Sequence, residues 1–525
     1  MTELPSPSTL SFFFIYGPPG SGKSSAGRLL AQSLGLPFWD VDAEIEARSR
    51  SSIPRIFARY GEAGFRKRER KVLDTLLSHA RGVISLGGGA LLNTATRARV
   101  EARGTVVSLE APLETLLARL GAADEERPLL VGELRPRLEE LLSRRASHYA
   151  SFPLRVETNG LTSAEIAWQI QVRLGAYHIR GMGAGYDVRV KPDSLVNIGE
   201  ILLARGLGSP TAVVSDKNVA PFFADPVVES LKRAGLSPHL VVIPAGERHK
   251  SLETVAGLWQ AFTQARLERG STVIALGGGV VGDLAGFAAA TYLRGIAWVA
   301  VPTSLLAMVD ASLGGKTGFD LPGGKNLVGA FHAPRLVLAD PLVLQTLPDE
   351  ELRSGMAEVV KHGIIADPAL FDTCARGWSE VRPNLDEIVR RAIGVKASVI
   401  QADPYEQGLR ASLNLGHTLG HGLEHASGYH LRHGEAVSIG ILAATRLAVC
   451  KEIASPELII EIQQVLESLG LPTEIPPGLD RSQVAAAIGL DKKRSGGKVR
   501  FVLPVRIGEV RTGVEIEDVQ QVFDA

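Results

Sequence analysis

The sequence predicts two α/β units in succession, the second of which continues into a mainly helical region. Short apolar segments alternate with amphipathic helical segments in two stretches of the chain, the arrangement expected of parallel βαβ units. In each stretch one apolar segment runs into a glycine-rich turn that opens a helical pattern. After about Leu347 the strand-like segments fade and long helical patterns dominate, which predicts a helical subdomain in the last third.

The composition indicates a globular protein and argues against several classes of partner. With 525 residues the chain is too long for one ordinary hydrophobic core. Lysine plus arginine and aspartate plus glutamate both number 57, so no net charge draws the chain to nucleic acid or to an anionic membrane. No apolar run reaches the length of a membrane span, and the run at 11–16 is typical of a buried strand rather than of a signal peptide. We therefore expect small-molecule substrates, without nucleic-acid or membrane partners.

The cysteine content bears on the compartment. There are two cysteines, Cys374 and Cys450, and no CxxC pair. A disulfide framework is therefore excluded and a thiolate metal site is disfavoured. This pattern fits a reducing cytosol, so a cytoplasmic location is expected.

The first α/β unit is predicted to occupy residues 1–175. Its strand candidates are Phe12–Tyr16, Val83–Leu86 and Thr105–Leu109. Its helix candidates are Lys23–Leu34, Glu62–Ala80, Leu113–Leu120, Arg135–Ser147 and Ser163–Leu174. A glycine-rich, aperiodic stretch follows at 181–185, so a linker is predicted at residues 176–185.

The second α/β unit is predicted at residues 186–346 and the helical subdomain at residues 347–525. The strand candidates are Thr211–Ser215, Leu240–Ile243, Thr272–Leu276 and Ala297–Val301, which indicates a parallel sheet of the nucleotide-binding, Rossmann-like type. The helix candidates in the last third are Glu350–Ile365, Leu385–Ala402, the segment after Leu413, and Glu435–Ile453.

A phosphate-binding loop is predicted near the N-terminus. The segment 17–24 matches GxxxxGK[ST], follows an apolar strand and opens a helix, which is the context that this motif requires. Glycines let backbone amides converge on phosphate oxygens, the helix N-terminus adds positive potential, Lys23 neutralises the β- and γ-phosphates, and Ser24 ligates Mg²⁺. The alternative is a glycine-rich turn with a chance lysine. The predicted ATP contacts are Gly20, Ser21, Gly22, Lys23, Ser24 and Ser25.

Two carboxylates follow the next predicted strand, Phe38–Val41. Asp40 and Asp42 are two positions apart, so on a strand both would point to the same face. One could hold Mg²⁺ and the other could accept a proton from a substrate hydroxyl. The alternative is an ordinary polar strand end.

The first unit resembles shikimate kinases in its motifs. The matching segments are the phosphate loop, Asp40-Val41-Asp42, Gly61-Glu62-Ala63-Gly64-Phe65-Arg66-Lys67-Arg68-Glu69, Gly87-Gly88-Gly89, Arg127-Pro128-Leu129-Leu130, and Arg145 four residues before Tyr149. The resemblance implies an ATP- and Mg²⁺-dependent kinase in which Asp40 and Ser24 serve the Mg²⁺ ion, and Lys23, Asp42 and Arg127 take part in catalysis. Arg127 would close over ATP. The implied shikimate contacts are Asp42, Arg66, Gly87, Gly88, Gly89 and Arg145. A regulatory ATP-binding module without turnover is the alternative.

Three clusters of residues in the second half are candidates for binding or catalysis. The turn Gly277–Asp283 follows a strand and opens a helix, but it is not G-x-G-x-x-G and does not by itself establish nucleotide binding. Lysines in the glycine-rich segments 310–317 and 324–326 could reach a phosphate.

Histidines form the third cluster. His417, His421 and His425 share one helical face, and His433 follows shortly after. Histidines with a carboxylate and without cysteine suit a catalytic Zn²⁺. Spacing alone suggests His417 and His421 as an i,i+4 ligand pair, and it leaves open that these are ordinary core or surface histidines.

Residues from about 186 to 520 resemble 3-dehydroquinate synthase. The matching segments are 244–250, 277–283, 292–295, 310–317, 324–326, 355–361, 406–421, 433–435 and 491–493. The resemblance implies an NAD⁺- and Zn²⁺- or Co²⁺-dependent enzyme that converts 3-deoxy-D-arabino-heptulosonate 7-phosphate to 3-dehydroquinate and releases phosphate. It also implies a homodimer through this half, with Arg294 reaching the substrate phosphate of the neighbouring subunit.

The resemblance assigns a role to each site residue of this half. The metal ligands would be Glu358, His417 and His433, with His421, Glu406 and Lys316 as catalytic groups. The implied NAD⁺ contacts are Asp216, Asn218, Glu247, Lys250, Gly278, Gly279, Val280, Asp283, Thr303, Ser304, Lys325 and Thr346. The implied substrate contacts are Asp310, Lys316, Asn326, Arg294, Lys361, Lys396, Arg410, Asn414 and Lys492, with Lys498 as the alternative to Lys492.

Related activities remain as alternatives for the second half. Metal-dependent polyol dehydrogenases share the two-domain plan, but they need no phosphate-binding lysines such as Lys316 and Lys325. Other sugar-phosphate cyclases are harder to separate from the residues alone.

Overall fold

The computed structural model describes residues 12–122, 133–322, 324–494, 499–516 and 520–524, except the side chains of 489–494 and 524. The chain divides into two compact units, Met1–Ala176 and Tyr177–Ala525. The division lies one residue beyond the predicted end of the first unit.

The first unit is built on a five-stranded parallel sheet. Its strands are β1 (Phe12–Tyr16), β2 (Phe38–Asp40), β3 (Gly82–Ser85), β4 (Gly104–Glu110) and β5 (Leu154–Glu157), in the order β2-β3-β1-β4-β5. β1 lies at the centre and pairs in parallel with both β3 and β4. Separate clusters of buried apolar side chains include one around Phe14 and Ile84 and another around Ile15 and Val83. Because successive strand residues point to opposite faces, this alternation covers both faces of the sheet.

Seven helices accompany this sheet in the described residues of the first unit. They are α1 (Lys23–Leu34), α2 (Val41–Ser49), α3 (Ile53–Leu76), α4 (Thr94–Arg103), α5 (Leu113–Gly121), α6 (Leu134–Ala150) and α7 (Ser163–Leu174). α1 ends at Gly35, which has φ 64°, and α7 begins with a capping box between Thr162 and Glu165. Gly61, at φ 65° and ψ −178°, is not helical and divides α3 into two helical stretches, the second of which begins after Gly61, where the sequence predicts a helix from Glu62.

The second unit is built on a seven-stranded sheet with two separate hairpins. The sheet strands are β6 (Ala176–Ile179), β7 (Tyr186–Val190), β8 (Gly208–Asp216), β9 (Pro238–Ile243), β10 (Ser271–Gly277), β11 (Ala297–Pro302) and β14 (Leu336–Ala339). The hairpins are β12 (Lys316–Leu321) with β13 (Gly324–Phe331), and β15 (Val499–Arg506) with β16 (Glu509–Ile516). The sheet order is β6-β7-β14-β11-β10-β8-β9.

Most helices of the second unit lie in the last third of the chain, as predicted. They are α8 (Ile198–Leu203), α9 (Ala220–Arg233), α10 (Leu252–Gln264), α11 (Gly279–Thr291), α12 (Asp349–Ala366), α13 (Pro368–Ala375), α14 (Trp378–Val381), α15 (Leu385–Ala402), α16 (His417–Ala426), α17 (His433–Cys450), α18 (Glu457–Ser468), α19 (Arg481–Arg494) and α20 (Gln521–Asp524). One hydrophobic core joins the sheet to these helices. The predicted subdivision after residue 346 therefore stays a prediction.

The structure corrects two predictions about segments. The predicted linker at 176–185 begins with β6, so its first four residues belong to a sheet. The hairpin of β15 and β16 lies within the predicted helical subdomain, and Val499, Phe501, Val502 and Leu503 of β15 pack into the core. The α/β class itself is confirmed in both units. In the described part of the chain, no helix combines the length and the apolar character that crossing a membrane requires.

Candidate active sites

The phosphate loop connects the central strand β1 to α1. Gly17, Gly20 and Gly22 have φ values of 139°, 79° and 90°. A Cβ atom at Gly17 would overlap the carbonyl oxygen of Leu109, so the neighbouring strand also requires glycine at this position. The Ser21 hydroxyl and the Lys23 ammonium both donate to the Pro18 carbonyl oxygen, at 2.8 and 2.7 Å. These bonds close the loop and hold Lys23 against it.

The predicted Mg²⁺ residues lie side by side. The Ser24 hydroxyl donates to Oδ2 of Asp40 at 2.5 Å. The other oxygen of Asp40 caps α2, since it accepts from the amides of Asp42 and Ala43 at 3.0 and 3.2 Å. The argument that Asp40 and Asp42 share a strand face is wrong, because the strand ends at Asp40 and the helix begins at Val41. A hydroxyl and a carboxylate at the end of a phosphate loop remain a suitable donor set for Mg²⁺.

Three side chains donate hydrogen bonds to one carbonyl oxygen in the Gly87–Gly89 turn. The Gly88 carbonyl accepts from the hydroxyls of Tyr16 and Tyr149, at 3.1 and 2.7 Å, and from Nη1 of Arg145 at 3.1 Å. Tyr16 and Tyr149 are both buried, and burial raises the pKa of both phenols. They therefore stay neutral donors. Neither tyrosine was predicted as a site residue; Tyr149 was quoted only as a motif position.

Arg66, Asp42 and the glycine turn surround a buried carboxylate, Glu69. Nη1 of Arg66 donates to Oε2 of Glu69 at 2.7 Å. A Cβ atom on Gly87 would lie 2.7 Å from Oε1 of Glu69 and 3.4 Å from Oδ1 of Asp42. Burial raises the pKa of Glu69 to about 6, against the lowering effect of Arg66. The structure thus brings Asp42, Arg66, Arg145 and the turn together, and it adds Glu69. The i,i+3 spacing from Arg66 was the available signal for Glu69.

One predicted residue of this unit falls outside the described part of the chain. Arg127 lies within 123–132, so its contact with ATP stays a prediction. Ser25 lies exposed in the first turn of α1, next to Ser24.

The second site converges on the carboxylate of Glu358. Glu358 lies on α12, and His417 and His433 are the first residues of α16 and α17. Nε2 of His417 lies 3.5 Å and Nε2 of His433 lies 3.4 Å from Oε1 of Glu358. One possible ligand atom from each of the three residues lies within 4.8 Å of the other two. The three residues implied by the family resemblance are therefore adjacent, although they come from three helices.

The donor set fits a divalent metal ion. Glu358 is completely buried; the Lys361 ammonium pairs with its Oε2, while its Oε1 faces Nε2 of both histidines. Two imidazoles and one carboxylate leave coordination positions open for substrate, as in catalytic zinc sites. His421 does not join this group among the described residues; its ring centroid lies 5.3 Å from that of His417. The i,i+4 pair suggested by spacing is thus not the arrangement found.

Electrostatics distinguish the two histidines of the group. Burial and the nearby Lys361 ammonium lower the pKa of His417 to about 3, against the opposing effect of Glu358. Burial also disfavours the charged form of His433, but the carboxylates of Glu358 and Glu424 raise its pKa to about 10. His417 is therefore ready as a neutral ligand, whereas His433 must lose one of its two N–H protons, the one on the ligating nitrogen, when a metal ion binds.

Two buried lysines lie beside this group. Lys361 is paired with Glu358 and lies 3.9 Å from Oδ1 of Asp310. Lys396 is paired with Asp310 and donates to its backbone carbonyl at 2.9 Å. Asp310, Glu358 and His362 form a second group with metal-ligand geometry. The two ammonium groups at Asp310 and Glu358 make that second position unfavourable for a cation.

A carboxylate with two donors lies at Glu406. Its Oε2 accepts from Lys316 at 2.5 Å, and its Oε1 accepts from Asn414 at 3.1 Å. Burial raises the pKa of Glu406, and the Lys316 ammonium lowers it below the usual value. Glu406 also has φ 60°, a conformation that non-glycine residues rarely adopt and that is often found at functional sites. Arg410 is buried and donates to the Pro404 carbonyl.

The predicted NAD⁺ residues lie mostly where parallel strands end. Asp216 ends β8, Gly278 follows β10, and Thr303 and Ser304 follow β11; these three strands are neighbours in the sheet. The carboxyl edge of such a sheet is where nucleotides bind. Gly279 and Val280 begin α11, which Gly278 caps. Asp216 accepts from the amide of Asn218 at 2.8 Å.

Two lysines among the predicted NAD⁺ residues make contacts with acidic or amide side chains. Lys250 is buried, donates to Asn326 at 2.5 Å and lies 2.7 Å from Asp283. Lys325 lies 3.7 Å from Glu247.

The described contacts of Thr346 and Arg294 do not bear on their predicted roles, and the side chain of a third predicted residue is not described. Thr346 donates to the carbonyl of Val343 at 3.0 Å, and Arg294 is exposed at the end of a 3₁₀ turn with φ 68°. The side chain of Lys492 lies outside the described residues, and so does the alternative residue Lys498. Their roles stay predictions. Sequence reasoning missed two buried groups, His362 and Glu424.

Comparison with known proteins identifies both units. The family model for shikimate kinase matches residues 19–174. The models for the N-terminal and C-terminal parts of 3-dehydroquinate synthase match residues 240–354 and 355–494. The 3-dehydroquinate synthase of Rippkaea orientalis is 47% identical over 332 residues, which cover 62% of this chain and 91% of that protein. The chain belongs to the shikimate kinase and 3-dehydroquinate synthase families. Both resemblances read from the sequence are confirmed, and the chain is a bifunctional shikimate-pathway enzyme with kinase and lyase activities.

Solved structures of other cyclases resemble the synthase unit. The 2-epi-5-epi-valiolone synthase of Streptomyces hygroscopicus subsp. jinggangensis, with NAD⁺ and Zn²⁺ bound, is 31% identical. It matches 65% of this chain and 95% of its own, with a TM-score of 0.59. A 2-deoxy-scyllo-inosose synthase complexed with carbaglucose-6-phosphate, NAD⁺ and Co²⁺ is 26% identical, matches 66% of this chain and 98% of its own, and has a TM-score of 0.61. These cofactors are the ones predicted for the synthase unit.

Proposed function

We propose that the residues gathered in each unit carry out the two family reactions. In the kinase unit, phosphate would pass from ATP to a hydroxyl of shikimate. In the synthase unit, 3-deoxy-D-arabino-heptulosonate 7-phosphate would be converted to 3-dehydroquinate with release of phosphate. The observation that carries the second assignment is the convergence of Glu358, His417 and His433 within 4.8 Å.

In the kinase unit the substrate groups match the side chains around the glycine turn. Arg66 and Arg145 would bind the shikimate carboxylate, because guanidinium groups recognise carboxylates through paired hydrogen bonds. Asp42 would orient the attacking hydroxyl and accept its proton. Lys23 would neutralise the transferred phosphoryl group, and Mg²⁺, held through Ser24 and Asp40, would neutralise the charge on the β- and γ-phosphates.

In the synthase unit, side chains would hold the substrate around the metal group. Glu358, His417 and His433 would hold Zn²⁺ or Co²⁺, which polarises oxygens of the bound substrate, while NAD⁺ supplies reversible hydride transfer. Lys361 and Lys396 would bind substrate oxygens from within the buried pocket. His421 and Glu406 would move protons, and Lys316 would keep Glu406 ionised. Asn326, Arg410 and Asn414 would complete the contacts with the substrate.

Assembly and location are part of the proposal. Arg294 is exposed, which supports a contact with a second subunit in a homodimer formed through the synthase unit. Two free cysteines support a cytoplasmic location.

Reciprocal variants of the full chain test these assignments. Lys23→Met is expected to lower shikimate-dependent ADP formation by about a hundredfold or more and to leave phosphate release from the heptulosonate substrate unchanged. Glu358→Gln is expected to do the reverse. Loss of both activities in either variant would contradict independent sites. ATP hydrolysis by the wild type that does not respond to shikimate would favour a regulatory module instead.

Product analysis separates the synthase from the other cyclases. The higher identity with 3-dehydroquinate synthases favours 3-dehydroquinate as the ring product. Mass and NMR analysis of the product of the wild-type chain would identify the ring, and an aminocyclitol-type ring would refute the assignment.

A further inference from the structure

A buried carboxylate that was not among the predicted site residues contacts a predicted metal ligand and a predicted NAD⁺ contact. Glu424 lies on α16, and its side chain is 8% exposed. Its Oε2 lies 3.4 Å from Nδ1 of His433, and its Oε1 lies 3.4 Å from Nζ of Lys325. Neither family motif quoted from the sequence gives Glu424 a role. Its two oxygens therefore face two different residues, one from the metal group and one from the cofactor side.

The contact with His433 settles which nitrogen is available to a metal ion. Nε2 of His433 faces Glu358 at 3.4 Å, so the two ring nitrogens point to two carboxylates. When a metal ion occupies the Nε2 side, Nδ1 carries the N–H, which is placed to donate a hydrogen bond to the Glu424 carboxylate. Carboxylates that accept this second N–H fix the ring and raise the basicity of the ligand nitrogen.

The second contact of Glu424 is with Lys325, one of the implied NAD⁺ contacts. Lys325 is the second residue of β13 in the β12–β13 hairpin, and its ammonium lies 3.7 Å from Glu247 and 4.3 Å from the ring centroid of Tyr429. Lys325 and Glu247 are both implied NAD⁺ contacts. Two carboxylates and an aromatic face thus hold this ammonium, and one of those carboxylates also holds a metal ligand.

We propose that Glu424 is a positioning residue that orients His433 for the metal ion and holds Lys325 for the cofactor, so that metal and NAD⁺ bind cooperatively. This inference rests on the proposed function of the synthase unit. A proton held on Nδ1 of His433 strengthens the carboxylate contact, and a cofactor bound at Lys325 fixes the same carboxylate. Coupling between two ligands must be reciprocal, so each would tighten the binding of the other by the same factor.

Metal binding is the first test. Zn²⁺ affinity is measured by competition with a chromophoric chelator on the metal-free full chain. Glu424→Ala is expected to weaken Zn²⁺ binding by about 10- to 100-fold. Glu424→Gln keeps an acceptor for the Nδ1 proton and has nearly the same size, so a smaller loss is expected. Asp386→Asn is the matched control: it also removes a paired carboxylate, but its partner is Arg390 on α15, and no change is expected.

Cofactor binding is the second test. Calorimetry measures NAD⁺ affinity of the same proteins with and without saturating Zn²⁺. In the wild type and in Asp386→Asn, Zn²⁺ is expected to tighten NAD⁺ binding at least fivefold, a typical coupling factor. In Glu424→Gln this factor is expected to fall below twofold, because a neutral amide holds the Lys325 ammonium poorly. Glu424→Gln also keeps the test valid if Glu424→Ala does not fold.

The outcomes separate the inference from the function on which it rests. Wild-type Zn²⁺ affinity in Glu424→Ala, or wild-type coupling in Glu424→Gln, would overturn the inference alone. The absence of wild-type coupling would overturn it as well. Zn²⁺ binding that survives in Glu358→Gln at full affinity would refute the proposed metal site itself, and with it the inference.

Discussion

The kinase unit and the synthase unit hold anionic groups with different parts of the chain. The first site uses one continuous segment, 17–24, whose backbone shape depends on three glycines with positive φ and on bonds to the Pro18 carbonyl. The second uses side chains from three helices, which meet at the buried Glu358. We therefore expect the phosphate loop to be most sensitive to changes in backbone conformation. We expect the Glu358 site to be most sensitive to the loss of a charged side chain.

The largest effect is expected from a methyl group in the phosphate loop. Gly17→Ala places a Cβ atom against the Leu109 carbonyl at φ 139°, so the loop must distort and its amides lose their alignment. Kinase activity should fall about a thousandfold, with synthase activity unchanged, as measured by ADP formation and phosphate release. Gly160→Ala is the control, because Gly160 has φ 68° but open space around it. Equal kinase activity in the two variants would contradict the role assigned to the loop.

A smaller effect is expected when a charged partner is removed from the second site. Asp310→Asn leaves the buried Lys396 without its carboxylate partner. Breaking such a pair should lower the free energy of unfolding of the synthase unit by about 3 kcal/mol. Urea unfolding followed by tryptophan fluorescence measures this change.

The control for Asp310→Asn is Asp386→Asn, in which the lost carboxylate is 42% exposed. That surface pair should contribute less than about 1 kcal/mol. If both variants lose the same stability, burial of the ion pair does not matter in this site.

A pH-dependent effect sharpens the comparison within the kinase unit. Burial raises the pKa of Glu69 to about 6, above its value of 4.5 in the unfolded chain. Folding disfavours the ionised form, so the wild type loses stability as the pH rises from about 4.5 through 6. Relative to Glu69→Gln, the wild type should lose about 2 kcal/mol between pH 4 and pH 7. Chemical unfolding of both proteins across this range measures the difference, and a constant difference would contradict the prediction.

The smallest effect is expected where several donors share one acceptor. Tyr16→Phe removes one of three donors to the Gly88 carbonyl, and the hydroxyl of Tyr149 and the guanidinium of Arg145 remain. The shikimate KM should rise less than about tenfold, which corresponds to less than about 1.4 kcal/mol. Tyr149→Phe removes the shorter bond and serves as the comparison in steady-state kinetics. A hundredfold change in Tyr16→Phe would show that the turn depends on this hydroxyl alone.

The segments with local signals were predicted well. Helices α1, α7 and α15 have their predicted bounds. Gly35 ends α1, a capping box begins α7, and apolar periodicity marks α15, all of which are local signals. Asp40 and Asp42 were assigned to a strand face, but Asp40 instead caps a helix, since an aspartate after a short strand can satisfy the first amides of the next helix. The predicted linker was likewise wrong at β6, because pairing at a sheet edge has no local signature.

Groups that act through distant neighbours were not predicted from the sequence. Glu69 and Glu424 became candidate residues only when the fold placed the Gly87 turn beside the first, and His433 and Lys325 beside the second. His421, rather than Glu358, looked like the partner of His417 from spacing alone. The preference for the glutamate came from the family resemblance, and the structure brings it together with both histidines.

The sequence by itself determined that two α/β units follow one another, that the first begins with a phosphate loop, and which families the motifs resemble. These features depend on residues a few positions apart, whose effect on the backbone is local. Only the tertiary structure decided that α12, α16 and α17 bring Glu358, His417 and His433 together and that Glu424 joins the metal group to Lys325. Such contacts depend on how buried helices pack, which no short segment of the chain encodes.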